Sequence, residues 1–179
     1  MERASTTWLP RWPVALVPLV LALFLVALAR AGDGTRPRPV KFGAVVEEGG
    51  FATRVVAVDT NAWRSLKRTS AANRPPPLGF SDVLVAIQTT NHTNSAQIPF
   101  VDGTLNAIGA SGRSYSSLTL SCGAIPTDVS SISPVPARKT VVVHTCWQVA
   151  DLDLKSLVMY YAPYSGGRKI YFALRPRDR

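Results

Sequence analysis

Residues 83–90 read Val-Leu-Val-Ala-Ile-Gln-Thr-Thr, and residues 140–149 read Thr-Val-Val-Val-His-Thr-Cys-Trp-Gln-Val. Successive side chains of a strand point to opposite faces. The first stretch therefore divides into Val83, Val85, Ile87 and Thr89 against Leu84, Ala86, Gln88 and Thr90. The second divides into Val141, Val143, Thr145, Trp147 and Val149 against Val142, His144, Cys146 and Gln148. In the second stretch the first-named face is the apolar one and is expected in the core. β-branched and aromatic residues suit a pleated, half-buried surface, so both stretches predict strands, 83–90 as a central one.

Outward from these two, short β-rich runs recur between turn residues. They are 40–46 and 51–58, joined by Glu47-Glu48-Gly49-Gly50, then 99–101, 104–108, 114–120, 157–161 and 170–174. Gly109-Ala110-Ser111-Gly112 and Ser165-Gly166-Gly167 read as turns. No long helical periodicity interrupts the pattern, and seven to nine short strands predict an all-β, two-sheet sandwich. Residues 61–81 stand apart as an irregular insert. They hold Arg64, Lys67, Arg68 and Arg74, no acid, and Pro75-Pro76-Pro77.

Before the β-rich part, residues 12–29 (WPVALVPLVLALFLVALA) carry no charge, with Arg3 and Arg11 before them and Arg30 after. The length is near the minimum of about 17 residues for a membrane-crossing helix. Ala27-Leu28-Ala29 and Ala29-Arg30-Ala31 also fit a signal-peptidase site, so an uncleaved signal-anchor and a cleaved signal peptide both remain open. The organisation expected is a cytoplasmic arm over 1–11, a signal-anchor or signal-peptide helix over 12–29, and a Pro-rich spacer over 30–39. The sandwich follows over 40–174 and a basic tail over 175–179. The expected location is the cell membrane, single-pass with the C-terminal domain outside, or alternatively secretion. Arg36, Arg38 and Lys41 join Arg30 after the segment, so the positive-inside rule pulls the other way.

The β-rich part resembles the immunoglobulin-like domain of unknown function found in exported proteins and lipoproteins of Gram-positive bacteria, related to a secreted immunogenic antigen of mycobacteria. The resemblance rests on VLVAIQTTNHTNSAQIPF (83–100), LNAIGASGRSY (105–115), SPVPARKTVVVHTCWQV (133–149), KSLVMYYAP (155–163) and KIYFAL (169–174). It implies an immunoglobulin-like sandwich and supplies no catalytic residues. The sequence departs from the pattern at Ala137-Arg138, where a glycine is common, and in the basic insert.

Cys122 and Cys146 are the two cysteines of the chain. Outside the cytosol they are expected to pair; free thiols and a metal site are the alternatives. Two cysteines this far apart lack the close-spaced second pair of a structural zinc site. His144 is read as lying on the more polar strand face and His92 as exposed in a turn. Asp151 and Asp153 form one close acidic pair, suited to calcium or acid-base work but expected to solvate a turn. Asn91-His92-Thr93 satisfies the N-glycosylation pattern. Catalytic motifs such as G-x-S-x-G, H-E-x-x-H or a Gly-rich phosphate loop are absent from the sequence, and no cofactor is expected.

Lysine and arginine outnumber aspartate and glutamate by 20 to 11, a net charge of +9, and from Gly32 onward by 17 to 10. A basic domain outside the cell meets anionic lipid or acidic envelope polymer, and nucleic acid is not expected as its partner. Trp63, Arg64, Lys67, Arg68 and Arg74 are the expected contact residues, since an indole beside cations suits an interfacial or polyanionic partner. The function expected is a membrane-tethered or exported cell-envelope interaction module without catalysis, binding a protein or an anionic envelope component. The alternatives are an accessory subunit of a larger membrane complex and a hydrolase with an unrecognised site.

Overall fold

Gly49 and Gly50 both hold positive φ, 55° and 80°. That pair of angles makes the tight two-residue turn whose twist matches a hairpin, and only glycine enters it freely. It joins β1 (Val46–Glu48) to β2 (Phe51–Asp59), with Glu48 opposite Phe51. The computed structural model describes residues 32–117, 119 and 121–175; the segment 12–29 and most of the basic tail lie outside them. Among the described residues no helix is long and apolar enough to cross a membrane.

The remaining strands are β3 (Phe80–Asn91), β4 (Gly103–Ile108), β5 (Ser114–Ser116), β6 (Thr140–Ala150), β7 (Val158–Pro163) and β8 (Ile170–Ala173). They form two antiparallel sheets, ordered β1-β2-β3-β6 and β5-β4-β7-β8. The chain leaves the first sheet after β3, makes β4 and β5 in the second, returns as β6 beside β3, and crosses again to β7 beside β4. The protein is a β-sandwich.

The two opening stretches pair with each other over eleven residues, from Phe80 opposite Ala150 to Thr90 opposite Thr140. The expected inner face of residues 140–149 lies in the core, and residues 83–90 turn their Val83 face to it. Val83, Val85, Ile87 and Thr89, and Val143, Trp147 and Val149, are fully buried, with Thr145 nearly so. Leu105, Ala107, Tyr115, Met159, Tyr161 and Phe172 meet them from the second sheet. Each such apolar side chain contributes about 1.5–3 kcal/mol by leaving water.

Several expectations are corrected. Residues 40–46 are not one strand: Val40 makes an isolated parallel bridge to Phe172, and regular pairing begins at Val46. Residues 99–101 form a turn, and among the described residues of 114–120 only Ser114–Ser116 is strand. The spacer, from Gly32 on, is docked on the sandwich. The amide of Tyr171 donates to Gly34 O and that of Val40 to Tyr171 O, at 2.9 and 2.8 Å, while Arg36 donates to Gly109 O at 2.9 Å. Arg38 closes the arm on itself through an ion pair with Asp33. Where the resemblance would place a glycine, Arg138 sits at φ 61°, and its guanidinium donates to Asn94 Oδ1 at 2.9 Å.

Asn91 is also unlike the expectation for a sequon. It is fully buried, donates to Ser95 O and Val135 O, and accepts from the amide and hydroxyl of Thr93. An amide nitrogen so committed is closed to glycosylation in the folded protein.

Candidate functional site

The basic insert is ordered. Its core is helix α1 (Trp63–Thr69), whose Ala62 and Leu66 are fully buried against Cys122 and Cys146, with Leu84 and Ile125 packed alongside. Cys122 and Cys146 are joined in a disulfide, with Cα atoms 5.8 Å apart. Leu84 and Cys146 oppose each other on the outer face of the β3–β6 pair. That face is therefore locally covered by the helix, which is why residues the alternation assigns to the polar side are shielded there.

Asn73 clamps the other end of the insert. Its side-chain nitrogen donates to Leu66 O and Ala124 O, both at 2.8 Å, and its oxygen accepts from the Ala124 amide at 2.7 Å. Gly123, at φ 81°, lies so close that a Cβ would sit 2.4 Å from Asn73 Oδ1. Helix, Asn73, the Gly123 turn and the disulfide thus make one braced unit.

On the outer side of α1, Trp63 is half-buried and Arg64, Lys67 and Arg68 are exposed. Asp59, Asn61, Trp63, Arg64, Ser65 and Arg68 line an open cleft of about 530 Å³. The structure brings Trp63, Arg64 and Arg68 together there, while Lys67 and Arg74, although exposed, do not line it. Among the described residues none of the four cations makes an ion pair. Lys67 and Arg68 occupy the last turn, where cations also complement the helix dipole. Asp59 and Asn61 were not legible as site residues, because they lie just where the strand pattern of β2 gives out.

The acidic pair divides. Asp151 accepts from the Ser81 hydroxyl at 2.7 Å. Asp153 does not solvate a turn: it is fully buried and accepts from the Ser111 amide, the Ser111 hydroxyl and the Tyr115 hydroxyl at 2.9, 2.5 and 2.6 Å. Burial alone would raise its pKa, but the Ser111 and Tyr115 hydrogen bonds and nearby Arg113 hold it below the ordinary 3.8. Burial and the Asp153 contact push the Tyr115 hydroxyl up. A Cβ on Gly109 would stand 2.3 Å from the Asp153 carboxyl carbon, so the Gly109 turn is built around this carboxylate.

Asp82, opposite Gln148 on β6, is the buried acid the sequence hid at the end of the insert. It is 1% exposed, and among the described residues neither carboxylate oxygen has a hydrogen-bond partner of good geometry. Burial raises its pKa above 3.8, and the facing Gln148 amide offsets this only in part. A raised folded-state pKa adds stability below the unfolded value and loses it as pH rises through the folded value. D82N should accordingly stabilise the domain by about 1 kcal/mol at pH 7, with the gain shrinking toward pH 3.8. Chemical denaturation at the two pH values measures this, and equal gains at both would show that the charge is not the cause.

His92 is exposed, its Nδ1 3.8 Å from Glu47. His144 is half-buried on the outer face of β6, with its amide bonded to Thr127 O. Among the described residues no group of three or more histidine, cysteine or acidic side chains is placed to hold a metal.

No family model and no curated protein matches the chain. Among solved structures it is similar to an uncharacterized β-sandwich protein from Clostridium difficile, with a TM-score of 0.51 and 14% identity over 76% of this chain and 95% of that one. A conserved hypothetical protein from Bacillus anthracis matches with a TM-score of 0.47 and 10% identity, over 74% and 94% of the two chains. The first likeness supports the β-sandwich fold and, at that identity, the fold alone.

Proposed function

We propose that this chain is a cell-envelope interaction module: an immunoglobulin-like sandwich, carried to the outer side of a membrane by residues 12–29, that binds an anionic partner through helix α1 without catalysing a reaction. The carrying observation is the exposed Arg64, Lys67 and Arg68, in no ion pair among the described residues, beside half-buried Trp63 on a helix braced by a disulfide and by Asn73. A cation set on a fixed frame loses little conformational freedom on binding, which favours affinity. The indole supplies an apolar face for the interfacial region of a lipid surface.

Other features support the placement. A disulfide is typical of an oxidising compartment. The strand order supports the immunoglobulin-like reading: with β1 counted as an added edge strand, β3 and β6 pair in one sheet as strands B and E do, and β4 and β7 pair in the other as C and F do. It also fits the resemblance to the exported Gram-positive domain.

Co-sedimentation with vesicles of phosphatidylglycerol and phosphatidylcholine tests the reading. Binding should weaken as salt is raised. Replacing Arg64, Lys67, Arg68 and Arg74 together with glutamine should weaken it further, by at least about tenfold at low salt, since each cation near an anionic surface is worth about 1 kcal/mol. Equal binding by the quadruple variant at low salt would remove the helix from the function.

A further inference from the structure

A second cavity, sharing no residue with the α1 cleft, opens along the sandwich edge between the β1–β2 hairpin and β8, with a volume of about 150 Å³. Its walls are mostly apolar, with buried Phe51 and Phe172 among them, while Ile98 and Val101 are 37% and 68% exposed. An apolar cavity of about this size is enough to take up a benzene ring.

The loop that forms one wall is strained. Phe100 holds φ 61°, a conformation that bulky residues adopt only when their surroundings force it. Its ring packs on that of Tyr161, with centroids 5.8 Å apart, and its carbonyl accepts from the Gly103 amide. Strain of this kind collects where a side chain must be presented to a ligand.

The charge at this cavity runs opposite to that of the protein. In a chain of net charge +9, the lining contains no lysine or arginine and two acids, Glu48 and Asp102. Asp102 accepts from the Tyr161 hydroxyl at 2.5 Å. Burial first, then Asp102 and Glu48, push the Tyr161 hydroxyl strongly up, as two carboxylates converging on one phenol would. Glu48 is exposed, and its carboxylate has neither an ion pair nor a hydrogen bond among the described residues.

We propose that this cavity is a binding site for a small arylalkylamine, with the ring held among Phe51, Phe100 and Phe172 and the ammonium against Glu48 and Asp102. Ring and charge enter together: the ring leaves water, and the ammonium meets the two carboxylates that line this cavity on a basic molecule. Tyr161, tied to Asp102, fixes the carboxylate that faces the entering cation.

Saturation-transfer NMR on the full chain, titrated with 2-phenylethylamine, 2-phenylethanol and phenylacetate, tests it. The amine should bind more tightly than phenylacetate by at least about fivefold, with the alcohol between, because each exposed carboxylate contributes roughly two- to fivefold. Glu48→Gln, at an exposed and unpartnered position, should narrow that preference by about two- to fivefold with the melting temperature unchanged. Phe100→Gly removes the ring and relieves the strained φ, and should weaken all three probes. Phenylacetate binding as well as the amine, or an amine affinity unmoved by both substitutions, would overturn the site.

Discussion

Replacing Asp153 with alanine is expected to destabilise the domain by about 3–5 kcal/mol. The carboxylate receives three hydrogen bonds in a fully buried position, from the Ser111 amide and the Ser111 and Tyr115 hydroxyls. Alanine leaves the buried Tyr115 hydroxyl without its acceptor and frees the turn that Gly109 and Ser111 make. D153N should lose less, since an amide oxygen replaces part of the acceptor capacity. Urea denaturation of both variants measures the difference, and a loss below about 1 kcal/mol for D153A would mean that the cluster is not a stabilising element.

The same group gives a pH signature. Its folded-state pKa lies below the ordinary 3.8, so its contribution is present above that value and is lost as pH falls through the folded one. The wild-type domain should therefore weaken below about pH 3.8, and D153N should show a shallower acid slope.

Removing the disulfide, by reduction or as the C122S/C146S double variant, is expected to cost about 3 kcal/mol through the loop it closes, a fall in melting temperature on the order of 10 °C. The two cysteines are 24 residues apart in sequence. The local effect should be larger than the global one, because Ala62 and Leu66 pack directly on the bridge. Amide exchange over residues 63–73 should accelerate more than exchange in β3 and β6. Uniform acceleration across the domain would mean that α1 is held by something other than the bridge.

Alternation made β3 and β6 each legible as a strand, because each carries a row of β-branched and aromatic residues on one face and a slip of one residue would turn that row to solvent; that the two pair with each other was not. The Gly49-Gly50 turn was legible for the same kind of local reason. Helix α1 was not. It is 7 residues long with no side-chain cap and lies among prolines and cations, so neither propensity nor periodicity singles it out. Its order is tertiary, coming from Leu66 on the disulfide and Asn73 on residue 124. The cation cluster could be picked from composition, but its cleft partners Asp59 and Asn61 could not. The roles of Asp153 and Asp82 likewise depend on contacts far along the chain, from Ser111 and Gln148, that a linear reading does not bring together.

The docked arm before the sandwich bears on how the molecule takes a load. Gly34 and Val40 are both hydrogen-bonded to Tyr171, and Asp33 and Arg38 close the intervening turn, so the segment is buckled onto β8. Tension applied at Gly32 is met first by that buckle and passed to an edge strand of the second sheet. The β3–β6 pair belongs to the other sheet, with helix α1 packed on its outer face, and neither holds the arm. The domain thus has a built-in strain relief at the end where a tether would pull.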